Sequence, residues 1–104
     1  MLTVLIVDDE KLDREGLMRQ LDWKDYGISH ILTSESGFDA LEILEEQPVD
    51  IILTDVKMPG MSGIQLAESA KNRLPEVKII FISGFDDFEY VKGALELNAC
   101  QYIL

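Results

Sequence analysis

The chain has 104 residues, enough for one domain around one hydrophobic core, and its 47% apolar and 28% charged residues exclude a disordered or fibrous polymer. Its formal net charge of −11 excludes direct nucleic-acid binding by this segment, because a polyanion would be repelled. The single cysteine, Cys100, has no internal disulfide partner and reads as a small buried hydrophobe in a cytoplasmic chain.

The first apolar run, residues 2–7, meets Asp8-Asp9-Glu10 at once. It is too short and too acid-flanked for a signal peptide or a membrane span, and it predicts a first strand. Apolar runs at 28–33, 51–54, 77–82 and 101–104 predict four more. Between them lie segments with helical spacing, marked by Gly16, Leu17 and Leu21; by Ala40, Leu41 and Leu44; by Ile64, Ala67, Ala70 and Leu74; and by Phe88, Val91 and Leu95. Ser36 with Asp39, Ser62 with Gln65, and Asp86 with Glu89 have the spacing of helix-capping pairs. Pro48 and Pro75 stand where the second and third helices should stop. Near-continuous apolar strands joined by helices predict an α/β fold, a parallel sheet covered on both faces. No repeat, linker or low-complexity tract divides the chain, so residues 1–104 are read as one domain.

In a parallel sheet the residues just after strands one, three and four emerge on one edge; here they are Asp8, Asp55 and Ser83. Open α/β sheets bind ligands at the carboxyl ends of strands where the strand order reverses, and the order 2-1-3-4-5 puts that point between strands one and three. Asp8-Asp9 and Asp55 would then face one another. An acidic pair after a strand is by itself an ordinary solvated turn or helix cap. Two carboxylates about 5 Å apart, however, repel by about 3 kcal/mol at an effective dielectric near 20, so three in one crevice point to a bound cation. All-oxygen ligands without a nearby His or Cys favour Mg²⁺. Trp23, Tyr26 and His30 join no such constellation and are read as structural.

The stretches Val7-Asp8-Asp9-Glu10, Leu53-Thr54-Asp55-Val56-Lys57-Met58-Pro59-Gly60-Met61-Ser62-Gly63, Phe81-Ile82-Ser83-Gly84 and finally Tyr102 together resemble the receiver domains of bacterial two-component response regulators, over essentially the whole chain. The segment Ser83-Gly84-Phe85-Asp86-Asp87-Phe88-Glu89-Tyr90 further resembles receivers attached to AraC-type DNA-binding regions that regulate transcription. The resemblance implies a flavodoxin-like, doubly wound, five-stranded sheet. It implies that Asp55 accepts a phosphoryl group from a phosphohistidine on a sensor histidine kinase, that Asp9 binds Mg²⁺ directly and Asp8 directly or through water, and that the backbone carbonyl of Lys57 is a further ligand. It also implies that Ser83 and Tyr102 form the switch, a hydroxyl drawn toward the phosphoryl group and an aromatic ring that turns in behind it. Pro59-Gly60 and Gly63 are read as turn residues shaping the loop beside Asp55.

The chain ends at Leu104, ahead of the lysine that such receivers carry shortly after strand five and ahead of their fifth helix, so a domain short at its C-terminal end is expected. Lys57 does not replace that lysine, since it lies in the loop after Asp55. One sheet face would then be left to the first helix alone, and a homodimer or an exchanged assembly is expected to cover it. Two other function classes share parts of this pattern. A hydrolase of related fold would want a second acid two residues after its nucleophile, where this chain has Lys57. A phosphate-independent, receiver-like dimerisation module would need none of the acidic trio. A nucleotide or flavin binder is disfavoured because no Gly-rich phosphate loop follows the first strand.

Overall fold

The computed structural model describes residues 2–82, which alternate strand and helix: β1 (Leu2–Val7), α1 (Lys11–Gln20), a 3₁₀ turn (Trp23–Tyr26), β2 (Ile28–Ser34), α2 (Gly37–Glu46), β3 (Ile51–Asp55), α3 (Gly63–Arg73) and β4 (Lys78–Ile82). The expected fourth helix with its Asp86–Glu89 cap, the fifth strand at 101–104 and Cys100 lie outside the described residues. All four strands are parallel, in the order β2-β1-β3-β4, as expected for the first four strands of the 2-1-3-4-5 sheet.

Alternation along each strand divides the core in two. Val4 and Ile6 of β1, Ile51 and Leu53 of β3, and Ile80 and Ile82 of β4 pack with Leu17, Leu21 and Trp23. Leu5 and Val7 of β1, Ile52 of β3 and Ile79 of β4 pack with Ala40 and Leu44 of α2 and with Leu66, Ala67 and Ala70 of α3. The sheet is therefore sandwiched, with α1 on one side and α2 and α3 on the other, which is why β1, β3 and β4 read as near-continuous apolar runs, while the edge strand β2 exposes Ser29, His30 and Thr33. On the side that α1 covers, all six of those strand positions are buried.

Helix ends follow the sequence signals. The Ser36 hydroxyl accepts the Asp39 amide. Ser62 and Gln65 exchange both bonds of a capping box, at 3.1 and 3.0 Å. In α3 the phase differs from the expected spacing: Leu66, not Ile64, packs inward beside Ala67 and Ala70, and Ile64 is exposed. Both phases contain the two alanines, and the seat of Gly63 on β3 selects between them. Among the described residues no helix is long and apolar enough to cross a membrane.

Candidate functional site

Parallel register brings the acidic residues together. Val7 pairs with Thr54, so Asp8, one residue beyond Val7, and Asp55, the last residue of β3, stand side by side at the carboxyl edge of the sheet. Asp8 continues the side-chain parity of Val4 and Ile6, and Asp55 that of Ile51 and Leu53, so both fall on the α1 side. One carboxylate oxygen from each of Asp8, Asp9 and Asp55 lies within 4.8 Å of the others.

The three differ in depth: Asp8 is fully buried, Asp55 half-buried and Asp9 exposed. Asp8 is held at several atoms. Its amide donates to the Ser34 carbonyl at 3.1 Å, its Oδ1 accepts the Glu10 amide at 2.9 Å, and its carbonyl accepts Arg14 Nη1 at 2.7 Å. Its Oδ2 is buried without a hydrogen-bond partner among the described residues. A buried carboxylate oxygen left this way is costly. Burial accordingly pushes the Asp8 carboxyl up from 3.8 to about 6; the Glu10 amide opposes the rise, and the charges of Asp55, Asp13 and Asp9 add to it. Asp55 is also pushed up, by burial first and then by the charge of Asp9, against amide hydrogen bonds from Lys57 and Val56.

An unpartnered buried oxygen inside a cluster of carboxylates, with no nitrogen or sulfur donor in it, fits a hard divalent cation. The cation would complete the bonding of Asp8 and relieve the mutual repulsion of the three acids.

The loop after β3 is shaped around Asp55. The Lys57 amide points at Asp55 Oδ1, at 3.4 Å. Gly60 has φ +84°, and the Met61 amide bonds back across it to the Pro59 carbonyl at 3.0 Å. This is a γ-turn that requires the freedom of glycine. The Pro59-Gly60 reading as a turn therefore holds, but Gly63 is not a turn residue. It opens α3, and its missing side chain lets the helix start against the Asp55 main chain.

Asp8, Asp9, Asp55 and Lys57 are thus brought together, while Ser83 and Tyr102 lie outside the described residues. Trp23 belongs to the core, its Nε1 donating to the Met18 carbonyl, and His30 Nδ1 lies 3.1 Å from the Ser29 hydroxyl. Sequence reasoning missed Arg14. Its partner is a backbone carbonyl, so the only signal was a cation in the first helix after the acidic pair.

The chain matches the response regulator receiver domain family over residues 4–104. It is 34% identical over its whole length to an uncharacterized response regulatory protein of Staphylococcus epidermidis, covering 41% of that protein. It is equally 34% identical to the transcriptional regulatory protein HptR of Staphylococcus aureus, covering 40% of it. The chain therefore spans less than half the length of these curated relatives. Among solved structures it is similar to a two-component transcriptional regulator AraC from Clostridium phytofermentans, with TM-score 0.78 and 40% identity over 99% of this chain and 80% of that one. It is also similar to the REC domain of AraT, a response regulator from Geobacillus stearothermophilus, with TM-score 0.75 and 36% identity over 99% and 80% of the two chains.

Proposed function

Since the chain belongs to the response regulator receiver domain family, we propose that it is a phosphoacceptor switch in which Asp55 takes a phosphoryl group from a phosphohistidine of a sensor histidine kinase. Mg²⁺ would be held by Asp8, Asp9 and Asp55, with the Lys57 carbonyl as a further ligand. The observation that carries this reading is the convergence of the three carboxylates around the unpartnered Asp8 Oδ2.

In the reaction an Asp55 carboxylate oxygen attacks phosphorus, the P–N bond to the histidine breaks, and its electron pair stays on the imidazole, which takes up a proton. Bound Mg²⁺ supplies positive charge to the transferred phosphoryl oxygens. The protein's own part is positioning: strand register sets Asp55 beside Asp8, and the Lys57 amide aims at Asp55 Oδ1. Water attack on the aspartyl phosphate returns the carboxylate and inorganic phosphate, so the signal is reversible. No external metabolite is turned over.

Ser83 and Tyr102 take the switch roles that the family resemblance gives them. The name of the relative HptR, a transcriptional regulatory protein of which this chain covers 40%, supports a whole protein that controls transcription through a region beyond this domain, and a cytoplasmic place goes with that reading.

The test is incubation with acetyl phosphate and Mg²⁺, followed by intact-mass measurement. One added phosphoryl group, absent in Asp55→Asn, is expected. No mass gain at any Mg²⁺ concentration, or a gain that persists in Asp55→Asn, would overturn the reading.

A further inference from the structure

We propose that Arg14 is a positioning residue of the acidic site, fixing the buried Asp8 carboxylate for cation binding by holding the Asp8 main chain. The inference rests on the metal-site reading above and adds to it a residue that touches none of the reacting atoms.

The chain has little room to pass from β1 into α1. Val7 ends the strand and Lys11 begins the helix, so Asp8 belongs to a turn in which its carbonyl faces inward. A buried carbonyl needs a donor. Arg14, in the first turns of α1, reaches back across that turn and supplies one, Nη1 to Asp8 O at 2.7 Å. Together with the Asp8 amide on the Ser34 carbonyl and the Glu10 amide on Asp8 Oδ1, this bond fixes the residue at both ends of its main chain and at one carboxylate oxygen. Oδ2 is what remains.

The side chain is used unusually for its surroundings. Lys11 and Arg19, the other cations of α1 with described partners, pair with Glu15 on the exposed side of the helix. Arg14 stands next to Asp13 in sequence and close to Asp8 and Asp9, yet among the described residues it forms no ion pair. Its guanidinium is spent on a neutral carbonyl. This matters for a cation site, since an arginine bound to one of the three carboxylates would compete with the metal for the same oxygens. Held on the carbonyl by a charge-assisted bond, it anchors the ligand residue and leaves the ligand oxygens free.

The test compares the parent chain with Arg14→Met and Arg14→Lys. Mg²⁺ affinity is measured by titration calorimetry, and the initial rate of phosphorylation by acetyl phosphate is measured across a Mg²⁺ series. Outer-sphere partners of metal ligands typically cost about tenfold or more in affinity when removed, so Arg14→Met should bind Mg²⁺ about tenfold more weakly. Arg14→Lys, which keeps a donor of nearly equal reach, should recover most of the loss. At saturating Mg²⁺ the rate of Arg14→Met should return toward the parent's, because the arginine does not touch the transferred group.

A folded Arg14→Met with parental Mg²⁺ affinity would overturn the proposal and leave Arg14 a structural staple. So would a rate deficit that persists at saturating Mg²⁺ with affinity unchanged. Should the methionine variant fail to fold, Arg14→Gln, shorter and uncharged, carries the same expectation. A parent chain that takes up no Mg²⁺ at all would instead overturn the metal-site reading, an outcome distinct from parent and variant binding alike.

Discussion

Gly63 lies against the main chain of Asp55: a β-carbon added there would collide with the Asp55 carbonyl oxygen and come within 2.9 Å of its carbonyl carbon. The Gly63 amide donates to the Val56 carbonyl at 2.9 Å, so the first residue of α3 sits directly on the end of β3. The atoms in the way are backbone and cannot swing aside as a side chain would. Gly63→Ala must therefore displace either the helix or Asp55, and overpacking of this kind costs about 1–3 kcal/mol. Urea unfolding of Gly63→Ala should show that loss, and acetyl phosphate labelling of its folded fraction should be slower than the parent's. A variant as stable as the parent would show that α3 is seated less tightly than this contact implies.

Asp8→Asn separates binding from folding. A buried carboxylate oxygen without a partner destabilises the metal-free chain, and the asparagine keeps an oxygen to accept the Glu10 amide while removing the charge. In EDTA near pH 7.5, Asp8→Asn should be about 1–2 kcal/mol more stable than the parent. In Mg²⁺ the order should reverse or close, since only the parent gains. Chemical denaturation in EDTA and in Mg²⁺ reads both halves. A variant less stable than the parent in EDTA would mean that the Asp8 charge is already compensated by a route other than metal.

What could be read from residues alone divides along physical lines. β1, β3 and β4 were legible because burial on both faces leaves little polar alternation to confuse, and Asp8 and Asp55 because the parallel direction puts strand ends on one edge. Ser36 and Ser62 were legible as caps because the capping bond spans a fixed three residues. The inward place of Leu66 was not, since Ala67 and Ala70 fit either helical phase and a contact remote in sequence decides. Gly63 showed only as a glycine in a glycine-rich loop; that its lack of a side chain serves helix seating depends on Asp55 coming close from another element. Arg14 was hidden because it binds a carbonyl, and main-chain acceptors are present at every residue.

The two caps should differ in strength. Ser62 and Gln65 satisfy two backbone amides reciprocally, whereas the Ser36 hydroxyl accepts one, from Asp39. Loss of an N-cap hydroxyl costs about 1 kcal/mol. Ser36→Ala should show about that, and Ser62→Ala at least as much, because it also unties the Gln65 side chain. Thermal unfolding of both variants checks the order; a Ser62→Ala chain clearly more stable than Ser36→Ala would show that the reciprocal bond contributes nothing.

The pH dependence follows from the direction in which Asp8 is shifted. Its carboxyl titrates at about 6 in the folded chain against an ordinary 3.8, so between those values the folded state holds a proton that the unfolded state has lost. Stability of the metal-free chain must then fall as pH rises through this window, by up to about 3 kcal/mol once pH exceeds 6. Asp55, also pushed up by burial and by Asp9, adds to the fall in the same direction. Other carboxylates change the total, so the quantity to follow is the difference between the parent and Asp8→Asn, measured in EDTA at steps from pH 4 to pH 8. That difference should grow in favour of Asp8→Asn up to about pH 6 and level off above it. Cation binding requires the ionised ligand and so reverses the trend. At about ten times its dissociation constant Mg²⁺ should stabilise the parent by about 1.4 kcal/mol above pH 7, and that gain should disappear as pH falls below 6 and Asp8 takes up its proton. A parent-minus-variant difference that stays flat across the series would show that the buried oxygen finds a partner in solution. A Mg²⁺ effect undiminished at pH 4.5 would show that the ion is held by something other than these carboxylates.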